Sequence, residues 1–296
     1  GCTEGQHPFA GSVRVPLTSI LFFFSWGEGE TDRPGDLRSL IVVVAAIRDE
    51  IAGFLTAGDY RQSARHKAAR HYVSDRWPDV AIVIGGVGRD RAQSATREAV
   101  ERYEPDMIVS AGFAGGVVPG HSVGDLVICE KVWAIERPQG WDVSREVAGG
   151  IPNDWLDQIA GSHRRGGCLS VMELAATSEA KRSLGKKHPV DVVDMESYWV
   201  VDTAARAGVM SVVVRSVLDP VERTMPALVN NLIGAGTLGR WMRGLAYVAI
   251  RPWSVPDLFR VARETAVARD ALGGMIEVIA STQLPQTERQ SANAGR

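Results

Sequence analysis

The chain is expected to be an α/β protein built on a central, largely parallel sheet. Two observations predict this. Continuous β-branched runs recur along the sequence, the mark of strands buried on both faces. They alternate with stretches of helical spacing rather than with short hairpin turns. No internal repeat or linker composition divides the chain between Arg38 and Ala280, so residues 38–280 of the 296 are read as one domain.

The elements follow in order. "LIVVVAAI" (Leu40 to Ile47) is the first strand and "VAIVIGGVG" (Val80 to Gly88) the second, which ends in glycines. "RAQSATREAVERY" then sets Ala92, Ala95, Ala99 and Tyr103 at helical spacing. "DMIVSAGFAGG" (Asp106 to Gly116) is a third strand entering a glycine-rich turn, and "GDLVICEKVWAIE" a fourth. From Arg137 to about Gly166 no clear period emerges. "TSEAKRSLGKKH" reads as a helix with Thr177 or Ser178 as N-cap and basic residues in its last turn, with Lys186, Lys187 and His188 as a solvated end. "VDVVDMES" is a strand, "YWVVDTAARAG" a helix closed by Gly208, and "SVVVRSVLD" (Ser211 to Asp219) another buried strand. Helical patterns run from Met225 to about Ile279, interrupted by "RPWSVP".

The flanks differ. Residues 1–37 include "LTSILFFFSW", which is apolar but far shorter than the ~20 residues that span a bilayer. They are read as a disordered leader, and the polar residues 281–296 as a disordered tail. A net charge of −2 argues against a nucleic-acid or anionic-membrane surface as the main partner. Three scattered cysteines form no disulfide framework and no CxxC pair, and the six histidines include no HExxH, so no metal or cofactor is expected. Cys129 and Cys168 read as inert core residues. A cytoplasmic setting is the default.

Open α/β sheets place ligands at the carboxyl ends of their strands. Here those ends carry Asp49 and Glu50 in "AAIRDEI", glycines in "GGVGRDR" and "AGFAGG", Asp194 and Glu196 in "VVDMES", and Asp219 in "VVVRSVLD". Carboxylates accept hydrogen bonds from a sugar diol, further acids move protons, and glycines let a ligand approach the backbone. The pattern suits a neutral, hydroxyl-rich molecule. Three of these acids also have a plainer reading. Glu50 in a first helical turn complements the helix dipole, Asp219 before Pro220 is an N-cap, and Asp194 is an N-cap or a supporting acid. "GGVG" lacks the third glycine of a dinucleotide fingerprint.

The segment "VGRDRAQSATREAVERYEPDMIVSAGFAGGVVPGHSVGDLVI", with "VVDMES", "VVVRSVLD" and "AAIRDEI", resembles the nucleoside phosphorylase/nucleosidase superfamily from about Leu40 to Asp219. The last segment is similar to the methylthioadenosine/S-adenosylhomocysteine nucleosidases. The resemblance implies a three-layer α/β/α fold with a mixed, largely parallel sheet. It implies cleavage of the N-ribosidic bond of a purine nucleoside. By it, Glu196 binds the ribose hydroxyls with Met195 against the sugar, Asp219 protonates N7 of the purine, and Glu50 activates water. Asp194 and Ile47 flank the site, Phe113, Ala114 and Gly115 form its floor, and Glu173 stands where an acid is expected. A homo-oligomer, a dimer, is implied as well.

The sequence departs from that pattern at Phe113 and Leu218, where a hydroxyl is usual, and at Leu174 and Ala175, where a purine-stacking Phe is expected. The hopanoid-associated phosphorylases are similar in "VDMES", in Asp219 to Pro226 and at Arg251–Pro252. By that second resemblance phosphate is a co-substrate, with Arg48, Arg89 and Arg91 as candidates to hold it. A non-catalytic nucleoside sensor is a further alternative. The intact Glu50, Glu196 and Asp219 weigh against it.

Overall fold

A computed structural model describes residues 39–66, 69–135, 143–224 and 255–285. The leader, the tail after residue 285 and the pattern over 225–254 lie outside the described residues.

The spine is β5 (Met107–Gly116), ten residues long. Its first half pairs in parallel with β1 (Ile41–Ala45), which pairs in parallel with β4 (Val80–Ile84). Along its other edge β5 pairs in parallel with β10 (Met210–Asp219), placing Arg215 opposite Gly112 and Asp219 opposite Gly115. β1 stops at Ala45 while β5 runs on. Its last two residues, Gly115 and Gly116, pair antiparallel with β9 (Val192–Asp194). β9 continues in parallel to β8 (Arg164–Ser170), β8 in parallel to β6 (Leu126–Ile135), and β6 antiparallel to β10. Strands β5, β10, β6, β8 and β9 thus close on themselves. β7 (Val143–Ala148) flanks β6.

The sheet is covered on both faces. On one lie α1 (Ala52–Ala57), α3 (Asn153–Ala160) and α6 (Val255–Ser281), packed on the odd-numbered residues of β1. On the other lie α2 (Arg89–Tyr103) and α5 (Ser197–Arg206), packed on its even-numbered residues. α4 (Ser178–Lys187) packs over the closing strands through Leu184. Each helix shows the apolar spacing that its face requires. Ala92, Ala95 and Ala99 of α2 are small enough for close approach, while Leu272, Met275, Ile276 and Ile279 of α6 fill the opposite layer. α5 is buried almost all round, and Tyr198 and Trp199 meet edge-to-face at 4.8 Å.

Thr177 caps α4, accepting the N–H of Ala180 at 3.2 Å, and Gly208 follows α5 at φ 66°. His188, read as solvated, is 9% exposed, folded under the end of α4 while Lys186 and Lys187 stay in solvent. The antiparallel pair β2 (Arg61–His66) and β3 (Ala69–Val73) extends the sheet beyond β4, where the sequence offered no strand signal. β2 reads "RQSARH", with too little apolar character to mark it. β7 and α3 fill part of the stretch left without a period.

Phe54 of α1 is 1% exposed and sits 5.4 Å from Tyr60 and 6.0 Å from Trp77. Phe54→Ala should destabilise the protein by roughly 3–5 kcal/mol in chemical denaturation. A loss below about 1 kcal/mol would show that this aromatic group does not anchor α1 to the sheet.

Candidate active site

The chain turns back on itself after β1, and Glu50 ends that turn buried, 7% exposed. Its Oε2 accepts the N–H groups of Ala46 at 3.0 Å and Ile47 at 2.9 Å, and its Oε1 accepts the N–H of Phe113 at 3.1 Å. Glu50 therefore joins the carboxyl end of β1 to the second half of β5. Burial pushes its carboxyl upward. The Ile47 N–H, the charge of Arg215 and the other two N–H groups pull it back without cancelling the rise.

Glu196 is the N-cap of α5, and its Oε1 accepts the N–H of Gly88 at 2.7 Å, across 108 residues of chain. Gly88 is in turn the N-cap of α2, with φ 96°, so Glu196 faces a helix N-terminus. Burial, then the nearby charges of Asp194 and Glu50, raise its carboxyl to about 8.

One cleft is lined by both of these acids, with Ala45, Ala46, Gly85, Gly86, Ser110, Gly112 and Arg215. Arg91 borders it: its Cδ lies 2.5 Å from where a Cβ on Gly86 would stand. Arg89 instead stacks on the Trp199 ring at 4.3 Å, and Arg48 is exposed.

Asp194 sits behind the cleft rather than in its lining. Its Oδ1 accepts the Ser170 hydroxyl at 2.7 Å. Its Oδ2 accepts the Ser197 N–H, the Ser197 hydroxyl and Arg215 Nε at 2.9, 2.6 and 2.8 Å. Burial alone would raise this carboxyl, but Arg215 and then the two serines outweigh it and hold it below the usual range. Asp194 is a fixed anion with both oxygens engaged.

Asp219 closes β10, 5% exposed, and pairs with Lys181 of α4 at 2.7 Å. It is not among the residues lining the cleft. Burial raises its carboxyl and Lys181 opposes the rise. Of the remaining residues expected at the site, Phe113 contributes its backbone N–H to Glu50 and Ala114 is buried in the core. Gly115 lies beside Asp219 across the β5–β10 pairing, and Met195 is partly exposed next to Glu196. Glu173 is exposed on the loop after β8 and is not brought to the cleft.

The sequence reading passed over Arg215, Lys181, Ser110, Ser170, Ser197 and the N–H of Gly88. Two of these left a signal. Arg215 interrupts an otherwise apolar buried strand, where a guanidinium needs a carboxylate. Lys181 falls on the same stripe of α4 as Leu184 and His188. Among the described residues no group of three His, Cys, Asp or Glu side chains is placed to hold a metal, and no helix is long and apolar enough to cross a membrane.

Buried acids beside a cleft at the ends of sheet strands, between two helical layers, are the arrangement expected of a small-molecule site in an α/β protein. The family model of the phosphorylase superfamily matches residues 40–232, and the chain belongs to that superfamily. It is an enzyme of N-ribosyl hydrolysis or pentosyl transfer. A 5′-methylthioadenosine/S-adenosylhomocysteine nucleosidase of Shewanella sp. (strain MR-7) is 24% identical over 204 residues, 63% of this chain and 86% of that protein. The same-named protein of Shewanella oneidensis is 26% identical over 164 residues, 50% of this chain and 70% of its own. Among solved structures, the nucleosidase of this name from Neisseria meningitidis, in complex with methylthio-immucillin-A, superposes with a TM-score of 0.60 at 16% identity. It covers 82% of this chain and 100% of its own. The futalosine hydrolase of Helicobacter pylori superposes with a TM-score of 0.59 at 15% identity, covering 81% and 98%. At these identities the structural likeness speaks for the fold.

Gly112 permits the close approach of Glu50 and Arg215. A Cβ there would stand 2.8 Å from Glu50 Oε1 and 3.3 Å from Arg215 Nη1, both buried and held. Gly112→Ala should cost about 1–3 kcal/mol of stability. An unchanged melting temperature would mean that the two charged groups have slack the hydrogen bonds do not suggest.

Proposed function

We propose that the protein hydrolyses the N-ribosidic bond of a purine nucleoside, with water as the nucleophile. One observation carries the choice of water. The three backbone N–H groups that converge where β1 ends beside the second half of β5, those of Ala46, Ile47 and Phe113, are all taken by Glu50. An oxyanion seated there would lose those donors and meet the carboxyls of Glu50 and Glu196 in the same cleft. Water needs neither a cradle nor a counter-charge. It needs an acceptor, and Glu50 is fixed in place as one.

In this reading the C1′–N9 bond breaks with its electron pair passing to the base. Asp219 gives a proton to N7, so that the base leaves neutral. The water oxygen bonds to C1′ and its proton passes to Glu50. Glu196 accepts from the ribose hydroxyls in place of the Gly88 N–H, or together with it. A substrate of the 5′-thioadenosine kind is favoured by the names of the relatives. A less aromatic surround for the base is favoured by the loop after β8, which carries Met172, 42% exposed, with Leu174 and Ala175. Arg91 at the border of the cleft is the observation that favours phosphorolysis.

The protein is incubated with 5′-methylthioadenosine and with adenosine, with and without inorganic phosphate, and the sugar is analysed. Free adenine and a free sugar are expected, at a rate indifferent to phosphate. A sugar 1-phosphate, with a rate that saturates in phosphate, would establish phosphorolysis. Glu50→Gln and Asp219→Asn should each lower kcat by ~10²-fold or more, with substrate still bound.

A further inference from the structure

Lys181 is fully buried, 0% exposed, in the first full turn of α4. Its ammonium donates to Asp219 Oδ2 at 2.7 Å, to the Pro220 carbonyl at 2.7 Å and, more distantly, to the Asp219 carbonyl at 3.4 Å. Every one of those contacts falls on two consecutive residues. One turn earlier, the Ser178 hydroxyl donates to the Val221 carbonyl at 2.7 Å. The start of α4 therefore grips the chain as it leaves β10. The Lys181 stem passes Gly115, with its Cδ 3.6 Å from where a Cβ would stand there.

Burying an ammonium costs several kcal/mol, and neutral donors such as Ser178 can hold carbonyls without that cost. A buried charge aimed at one carboxylate oxygen does something that a carbonyl tie does not. We propose that Lys181 is a positioning residue for Asp219: it holds Oδ2, leaves Oδ1 to carry the transferred proton, and sets how tightly that proton is kept. Oδ1 has no hydrogen-bond partner among the described residues. The inference rests on the nucleosidase reading, in which Asp219 is the acid.

The other charges near Asp219 do not substitute for Lys181. Arg223, just beyond β10, pairs at 2.5 Å with Glu264 of α6, so the two largely offset each other. His121 lies near Pro220 across Gly116, with Arg164, Asp191, Asp125 and Glu222 as its own charged neighbours. Burial raises the Asp219 carboxyl, and the hydrogen bond and charge of Lys181 oppose the rise most strongly. Removing the ammonium therefore raises the carboxyl further. A general acid that holds its proton to higher pH keeps its activity to higher pH.

The test is adenine release from 5′-methylthioadenosine across the pH range, in the full chain and in three variants. Lys181→Met removes the charge and keeps the stem, Lys181→Gln keeps a donor for the carbonyls, and Lys181→Arg keeps the charge. In the Met and Gln variants the basic limb of kcat/KM should move up by about one pH unit or more. In them kcat should fall at least ~10-fold, more than KM rises. The Arg variant should return the limb close to that of wild type. Should the Met variant fail to fold, the Gln variant reads the same limb. A limb that stays in place in a folded, uncharged variant overturns the proposal and leaves Lys181 a structural tie. A wild-type protein that releases no base at any pH instead removes the nucleosidase reading on which the proposal stands.

Discussion

The site depends on one buried cation. Arg215 is 2% exposed in the middle of β10, and each of its nitrogens is used. Nε donates to Asp194 at 2.8 Å, Nη1 to the carbonyls of Ser110 and Val214 at 3.0 Å each, and Nη2 to the Ser110 hydroxyl at 2.8 Å. These bonds tie β10 to β5 and to the end of β9, where the ring of strands closes. A buried ion pair of this kind is weak evidence for stability, because desolvation offsets much of the attraction. Breaking it is another matter, since either partner alone would be an uncompensated buried charge. The pair is better understood as fixing a geometry.

That geometry sorts the acids at the strand ends by what they can do. Asp194, saturated by Arg215 and two serines, stays charged and immobile, and it seats the start of α5, which carries Glu196. Its charge then adds to that of Glu50 in raising Glu196. Glu50 keeps a fixed orientation because three N–H groups hold it, yet burial leaves it able to take a proton. Asp219, beyond the reach of Arg215's hydrogen bonds, has its own cation in Lys181. Two buried cations thus serve two buried aspartates. One of these acids anchors the site, and the other, in the proposed reaction, donates a proton.

The interior strands were legible because burial on both faces leaves an unbroken apolar run: Leu40 to Ile47 contains β1, and Ser211 to Asp219 coincides with nearly all of β10. The β2–β3 hairpin was not, because its polar outer strand lacks the alternation that marks a half-buried edge. Ring closure was out of reach too: it rests on two residue pairs between β5 and β9, some 77 positions apart, and no local pattern encodes so distant a pairing. Glu50 and Glu196, which line the cleft, and Asp219, which does not, stood out because acids at strand ends are conspicuous. Their supports did not. The Gly88–Glu196 bond spans 108 residues and the Arg215–Ser110 bonds span 105. Glu173 is exposed on the loop after β8 and is not brought to the cleft.

Arg215 and the surrounding burial divide neighbouring carboxyls into an anion, Asp194, and a proton-holding acid, Glu196. A carbon-13 titration of the side-chain carboxyls reads this directly, with signals assigned by their loss in Glu196→Gln and in Asp194→Asn. The expected result is a Glu196 midpoint of about 8 and an Asp194 signal that stays ionised below the usual aspartate range. A Glu196 midpoint near ~4.3, the value for a free glutamate, or an Asp194 that titrates above it, would contradict the account.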